Sequence, residues 1–241
     1  MTRPLRGVLF DMDDTLFDHD HATVCATAAI HTEEGAFGCW TPDELRRRHS
    51  LMLELIHEDV LAGRLQIDEA RRERFRRLLV EAGATGPTLD RAPGLAVRYR
   101  TEYELGWRPV AGALPLLEAL KSRGAIVGIV TNNVKAEQTI KLDRCGLAPY
   151  VDALVTSEEA GIQKPDPRIF EVALEQLGLA ADETAMIGDV WRTDIAGAQA
   201  AGLRPVWFNW RGLPQVDAAV PQVPALEPVE AVMSALGMTE G

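Results

Sequence analysis

The sequence has few cysteines and lacks any long apolar run. Its three cysteines are Cys25, Cys39 and Cys145, and no CxxC pair occurs, so neither a disulfide framework nor a cysteine-ligated zinc site is expected. No apolar stretch approaches the length needed to span a membrane, and the first residues contain none of signal-peptide length. We therefore expect a soluble cytoplasmic protein that makes no contact with a membrane.

Basic residues are also in deficit. The chain has 25 Lys and Arg against 36 Asp and Glu, which gives a formal net charge of -11. Nucleic-acid binding depends on excess positive charge, so a nucleic-acid partner is not expected. The same charge repels anionic substrates at long range. If the substrate carries a phosphate, local positive charge must overcome that field, and a bound metal ion is therefore expected.

Short apolar runs and helical patterns alternate along most of the chain. The runs at residues 6–10, 125–130, 153–155, 185–187 and 205–208 each stop at polar residues, as buried strands do. Helical patterns lie between them, and several end at a glycine, for example at Gly146 and Gly178. This alternation predicts an α/β fold: a Rossmann-like, doubly wound parallel sheet with helices on both faces.

The alternation is interrupted after the first run. Residues 18–106 contain no strong strand pattern, and Thr41 followed by Pro42 is a good helix start. We expect a core domain of residues 1–17 and 107–241, into which residues 18–106 are inserted as a helical domain. The proline-rich stretch 214–228 is expected to be an irregular surface segment before a last short helix.

Polar side chains follow the predicted strands where ligands bind in an open parallel sheet. The first strand leads into Asp11 and Asp13, and the fourth into Asp189, with Asp194 five residues later. The second ends at Thr131 and Asn132, and the loop after the third carries Lys164 in Lys-Pro-Asp-Pro. We expect these carboxylates, hydroxyl, amide and ammonium groups to converge at one edge of the sheet.

This set of groups suits phosphoryl transfer. Hard oxygen ligands without His or Cys favour Mg²⁺, which binds through one or two carboxylates and substrate phosphate. Lys164 can offset phosphate charge and hold a nearby carboxylate ionised. Thr131 and Asn132 can donate hydrogen bonds to phosphoryl oxygens. One ionised carboxylate can act as a nucleophile, and a second, two residues on, as acid and then base.

In this order the residues resemble the four motifs of the haloacid dehalogenase-like (HAD) hydrolase superfamily. The motifs are Asp11-Met12-Asp13-Asp14-Thr15-Leu16, Thr131, Lys164 in Lys-Pro-Asp-Pro, and Gly188-Asp189 followed by Asp194. The resemblance spans residues 6 to about 210. The stretch from Thr131 to Leu147 is similar to the nucleotidase and N-acylneuraminate-9-phosphatase-like branch, which usually has Gly where Asn133 stands.

The resemblance implies a role for each residue. Asp11 would attack phosphorus and form an aspartyl-phosphate, and Asp13 would protonate the leaving alcohol and then activate water. Asp11, the backbone carbonyl of Asp13 and Asp189 would hold Mg²⁺, with Asp194 in the surrounding shell. Thr131, Asn132 and Lys164 would bind the phosphoryl group. The helical insertion would be the family's C1 cap, which closes over the site and sets substrate preference.

These expectations describe a phosphatase that hydrolyses a small phosphate monoester, such as a sugar phosphate or nucleotide, as a monomer or homodimer. A phosphomutase and a catalytically inactive phosphate-binding protein on the same fold are alternatives. A dehalogenase is disfavoured, because those enzymes typically lack the aspartate at the position of Asp13. Asp194 could also simply cap the helix that follows it. The arginine runs 46–48 and 71–77 are interpreted as a solvated helix surface.

Overall fold

The chain forms two compact units. The structure, a computed structural model, describes residues 3–238. One unit contains residues 3–18 and 108–238, and the other, called here the helical insert, is His19–Trp107. The first unit is an α/β structure, whereas the insert contains helices and turns. Across residues 3–238, no helix is long and apolar enough to cross a membrane.

A parallel sheet forms the centre of the α/β unit. Its strand order is β3-β2-β1-β4-β5-β6. The strands are β1 Gly7–Phe10, β2 Ile126–Thr131, β3 Ala153–Thr156, β4 Thr184–Gly188, β5 Arg204–Phe208 and β6 Gln222–Val223. In register, Phe10 of β1 lies opposite Ile129 of β2 and Ile187 of β4. The carboxyl ends of these three central strands are therefore nearly level, at the point where the strand order reverses.

Helices connect the strands: α5 Ala113–Ser122, α6 Lys135–Arg144, α7 Ser157–Ala160, α8 Pro167–Leu177, α9 Ala196–Ala200 and α10 Val229–Ala235. Phe170 of α8 and Ala198 of α9 pack with Leu9 and Met186 in one buried cluster on a face of the sheet. The chain moves across the sheet in one direction from β1 to β3 and in the other direction from β3 to β5. Because crossovers between parallel strands are right-handed, α5 and α6 lie on the opposite face from α8 and α9. The predicted doubly wound α/β fold is confirmed.

Four helices make up most of the helical insert. They are α1 His19–Glu33, α2 Pro42–Leu61, α3 Ile67–Glu81 and α4 Ala92–Leu105. Helix α1 contacts α2 and α4, and α3 also contacts α2 and α4. The predicted start of α2 is confirmed: the Thr41 side chain accepts from the Glu44 amide, and the Glu44 carboxylate accepts from the Thr41 amide. Large apolar side chains such as Ile30, Leu45 and Phe75 fill the interior.

The structure differs from the sequence prediction in two segments of the α/β unit. The proline-rich stretch contains a sixth strand, β6, and buries Val220, Val223 and Leu226, so it is not merely an irregular surface segment. The helix predicted from Asp194 begins earlier, as a single π turn over Trp191–Ile195 before α9. Cys25, Cys39 and Cys145 are free thiols, as expected.

Candidate active site

Asp11 immediately follows β1, the central strand. Its backbone N–H donates to the carbonyl of Ile187, which ties the residue to the end of β4. Its side chain is buried, and Oδ1 accepts a hydrogen bond of 2.5 Å from Nζ of Lys164. The hydroxyl of Thr15 lies 3.5 Å from Oδ2. Asp11 is thus fixed at the carboxyl edge of the sheet by its own strand and by a buried cation.

Lys164 joins two carboxylates. Its ammonium also lies 2.7 Å from Oδ1 of Asp194, and both side chains are almost completely buried. The other oxygen of Asp194 accepts from the amide of Val190 at 2.9 Å, and the hydroxyl of Thr193 donates to Oδ1 at 3.2 Å. The π turn directs this carboxylate back toward β4, so it does not cap α9. Only a glycine fits at Gly188, because a Cβ there would lie 2.4 Å from Cβ of Asp194.

Asn132 holds the loop that carries Lys164. Its Nδ2 donates to the carbonyl of Lys164 at 2.9 Å, and its Oδ1 accepts from the Lys164 amide at 2.7 Å. Both ends of the side-chain amide therefore bind the backbone of the lysine that they position. The prediction that Asn132 binds a phosphoryl group stays a prediction. Thr131, the last residue of β2, is buried, and its hydroxyl lies 3.2 Å from Nε2 of Gln138.

Asp13 is bound by three donors that follow β2. Nζ of Lys141 lies 2.5 Å from Oδ1, Nε2 of Gln138 lies 2.8 Å from Oδ2, and Nδ2 of Asn133 lies 3.1 Å from Oδ2. Lys141 is almost fully buried and sits 4.6 Å from the ring centre of Phe17. Sequence reasoning assigned no role to these donors. The signal that could have identified them is the i, i+3 spacing of Gln138 and Lys141, which places them on one face of α6.

Arg211, in the loop after β5, also belongs to the site, although the sequence motifs did not indicate it. Its guanidinium donates to Asp189 Oδ2 and, at 2.9 Å, to Asp14 Oδ2. The indole N–H of Trp210 lies 3.3 Å from the same oxygen of Asp189, and the Arg211 guanidinium packs 4.2 Å from the Trp210 ring centre. Asp14 adopts a left-handed backbone with φ 61°, which Asp tolerates better than most residues.

Three carboxylates lie close enough to share a cation. One oxygen each from Asp11, Asp189 and Asp194 can be chosen so that all three lie within 4.8 Å of one another. Oδ1 of Asp189 is buried and has no hydrogen-bond partner among residues 3–238. An unpaired buried carboxylate oxygen is costly, and a metal ion would satisfy it. An all-oxygen set of this kind fits Mg²⁺.

The electrostatics of these groups depend on whether a cation is present. Burial raises the pKa of Asp11 to about 8, with Asp194 and Asp189 adding to the rise and Lys164 only partly offsetting it. Burial and Asp194 raise the pKa of Asp189 to about 7, although Arg211 opposes this. Burial alone would lower the pKa of Lys164, but Asp11 and Asp194 together raise it. Lys164 thus acts on Asp11 in the expected direction and lowers its pKa, but burial and the neighbouring carboxylates outweigh this effect.

Comparison with known proteins identifies the family. A family model described as haloacid dehalogenase-like hydrolase matches residues 5–202, so the chain belongs to the HAD-like hydrolases, as its motifs predicted. It is 31% identical to a glyceraldehyde 3-phosphate phosphatase of Methanothermobacter thermautotrophicus, over 85% of this chain and 86% of that protein. It is 30% identical to the pyrimidine 5′-nucleotidase PynA of Streptococcus pneumoniae, over 84% of this chain and 83% of that protein.

A solved structure supports the same assignment. The HAD hydrolase YfnB from Bacillus subtilis, bound to magnesium, superposes with a TM-score of 0.73 and 28% sequence identity. The match covers 96% of this chain and 99% of YfnB. The similarity therefore includes the helical insert as well as the α/β unit.

Proposed function

We propose that this protein is a Mg²⁺-dependent phosphatase that hydrolyses a small phosphate monoester through an aspartyl-phosphate on Asp11. The observation that carries this proposal is that two neighbouring carboxylates have different hydrogen-bond partners. Asp11 lies against Lys164, whereas Asp13, two residues later, is held by Lys141, Gln138 and Asn133. One carboxylate is thereby arranged to attack and the other to transfer protons. The similarity to curated phosphatases and a nucleotidase supports the substrate class.

The metal would be held by Asp11 and Asp189, with the backbone carbonyl of Asp13 as a further ligand. Asp194 would remain bonded to Lys164 and the Val190 amide and orient the site around the ion. When bound, Mg²⁺ would lower the pKa of Asp11 and offset the negative charge of the phosphoryl group.

The reaction would proceed in two displacements at phosphorus. In the first, a carboxylate oxygen of Asp11 forms the new P–O bond while the bond to the leaving oxygen breaks, and Asp13 delivers the proton that turns the leaving group into an alcohol. In the second, Asp13 takes a proton from water, which attacks phosphorus and releases Asp11 and inorganic phosphate. Lys164 and Thr131 would stabilise the phosphoryl oxygens throughout.

The helical insert is proposed as the cap of this enzyme. Its helices share none of the four motifs, so the chemistry would reside in the α/β unit and the choice of ester in the insert. This division would explain why proteins named for different substrates are similar to this chain over most of its length.

A phosphate-release screen with Mg²⁺ tests the proposal over sugar phosphates, nucleoside monophosphates and acyl-sugar phosphates. We expect turnover of at least one class, inhibition by EDTA and recovery on adding Mg²⁺. The Asp11→Asn variant should stay folded and inactive. Silence across the panel from a folded, Mg²⁺-loaded protein would instead favour a phosphate-binding role, and EDTA-resistant turnover would rule out the proposed metal site.

A further inference from the structure

An exposed apolar ridge lies on α2 of the helical insert. It consists of Leu51 and Leu55, which are 57% and 65% exposed. The two leucines are four residues apart, so they lie next to each other on one face of the helix. Isolated apolar side chains are normal on a protein surface, but adjacent large ones indicate a contact surface.

A shallow groove of about 290 Å³ borders this ridge. It is lined by residues of α2 and one residue of α3, namely Glu44, Arg47, Arg48, Leu51, Met52 and Glu81. An ion pair between Arg48 and Glu81 joins the two helices there. An apolar cavity of about 150 Å³ already holds a benzene-sized group, so the groove has room for a leucine side chain. Leu51 belongs both to the ridge and to the wall of the groove.

Unpaired charges of opposite sign flank the ridge along the helix. Arg47 lies four residues before Leu51, and Glu58 lies three residues after Leu55. Both are exposed, and neither forms an ion pair with another side chain of residues 3–238. With 3.6 residues per turn, Arg47 and Glu58 lie on the same side of the ridge. Glu54 lies further round the helix, about 80° from the middle of the ridge.

This face of α2 is complementary to itself when the helix is reversed. Consider two α2 helices that pack antiparallel about a twofold axis, with Leu51 of one copy opposite Leu55 of the other. Arg47 of each copy then lies within one residue, about 1.5 Å along the helix, of Glu58 of the other. The axis repeats every contact, so Leu55 of each copy meets the groove of the other. Parallel packing would instead place Arg47 beside Arg47.

We propose that two copies of this chain associate through antiparallel packing of α2, with Leu55 of each copy in the groove of the other. The partner is a second copy because the ridge matches the groove, and Arg47 matches Glu58, on one and the same face. The contact runs along one 20-residue helix per copy, about 30 Å, and is small for a protein interface. We therefore expect a concentration-dependent dimer with a Kd of roughly 10 µM. The association does not depend on the phosphatase function.

Sedimentation equilibrium of the full-length protein tests the association. Between about 1 and 100 µM, a range that brackets the expected Kd, the weight-average mass should rise from near 26.4 kDa toward twice that value. Leu55→Lys should raise Kd at least tenfold, because the twofold axis makes the substitution bury two charges in place of two apolar contacts. Val97→Lys is the control, since Val97 is 69% exposed but lies on α4, and it should leave Kd unchanged.

Two results of this experiment would overturn the proposal. A mass that stays at that of one chain up to about 100 µM would leave the α2 face to a different protein. Equal Kd values for Leu55→Lys and the wild type would place the contact between the copies on another surface.

Charge reversal tests the antiparallel arrangement. Arg47→Glu and Glu58→Arg should each weaken self-association about fivefold or more, because each brings like charges together at both ends of the contact. When the two variants are mixed in equal amounts, every ion pair is restored with its polarity reversed. The mixture should therefore form a heterodimer about as strong as the wild-type dimer. Two variants that stay monomeric when mixed would contradict the pairing of Arg47 with Glu58.

Circular dichroism and thermal unfolding control for the folding of the variants. Every substituted side chain is exposed, so Tm should change little. If Leu55→Lys failed to fold, the mixture of the two charge-reversed variants would still decide the question, because both variants keep the apolar ridge. Recovery of the dimer in that mixture supports pairing through α2, and its absence refutes it.

Discussion

The ammonium nitrogen of Lys164 lies 2.5 Å from Oδ1 of Asp11, and both side chains are buried beneath the end of the central strand. One ammonium group is shared by Asp11 and Asp194, while Asp189 adds a third buried carboxylate to the cluster. The cluster therefore contains three ionisable carboxyl groups and a single ammonium group. Its protonation and its affinity for a cation must be linked.

The first prediction concerns stability and pH without metal. The pKa of Asp11 is raised to about 8 from 3.8, so folded protein holds a proton that unfolded protein has lost. That contribution to stability is present at low pH and disappears as pH rises through about 8. His49 has the opposite sign, because its pKa is lowered from 6.5, and it affects stability only below about that value. Between pH 6.5 and 8.5 the free energy of unfolding of EDTA-treated protein should fall by about 1 kcal/mol or more.

Urea unfolding at several pH values measures this decline. Asp11→Asn should show a flatter profile, because the amide does not titrate, and Mg²⁺ should stabilise the wild type more at pH 8.5 than at pH 6.5. A metal-free wild-type profile that is level or rises over this interval would contradict the raised pKa of Asp11.

The second prediction concerns Lys141. Its ammonium forms an ion pair with Asp13 and lies 4.6 Å from the ring centre of Phe17. Lys141→Met keeps the apolar stem but removes the ammonium that orients the carboxylate. We expect kcat to fall by roughly 10²-fold, within the range that general acid–base groups contribute, with little change in KM.

Lys135→Met is the matched control for Lys141. Lys135 is on the same helix, but it is exposed and pairs with Glu159. Its replacement should leave kcat within about twofold, since exposed ion pairs contribute little. A rise in KM with unchanged kcat in Lys141→Met would show that the lysine binds substrate and does not position Asp13.

The third prediction concerns Arg211. Its guanidinium donates to Asp189 and Asp14, so a cation that binds Asp189 must compete with it or share that carboxylate. Arg211→Ala should bind Mg²⁺ about fivefold more tightly, a difference of roughly 1 kcal/mol, and its metal-free form should be less stable. Titration calorimetry with Mg²⁺ alone measures the affinity.

Arg192→Ala separates competition at the site from a general effect of charge. Arg192 is exposed and lies three residues after Asp189 in the sequence. Both variants remove one positive charge, so only the excess effect in Arg211→Ala reports direct competition. Weaker Mg²⁺ binding in Arg211→Ala would mean that the arginine supports the metal-binding geometry of Asp189.

The parts of the fold predicted from sequence are those that depend on local pattern. Buried parallel strands are apolar on both faces, so β1, β2 and β4 are recognisable runs, and the polar residues that end them mark the edge of the sheet. Strand β6 was missed because two residues between prolines carry no periodic signal. The π turn was missed because one widened turn at the start of a helix leaves no periodic signal in the sequence.

The site was only partly predictable for a related reason. Asp11 and Lys164 follow strands or belong to a motif, whereas the partners of Asp13 and Asp189 are set by tertiary packing. Lys141 is 128 positions from Asp13 in sequence, and Arg211 is 22 from Asp189. No local pattern links such pairs. The pairing of Arg48 with Glu81 likewise depends on how two helices of the insert pack.

The central claim is that phosphorus becomes bonded to Asp11 during turnover. The most direct measurement mixes the Mg²⁺-loaded Asp13→Asn variant with an aryl phosphate that is radiolabelled at phosphorus and then quenches the reaction with acid. An aryl phosphate is used because its good leaving group needs little protonation. Peptide mapping should find the label on the peptide that contains Asp11, and hydroxylamine should release it. Asp11→Asn should acquire no label. Phosphate release in a single turnover by wild-type protein, with no labelled protein in either wild type or Asp13→Asn, would contradict the account.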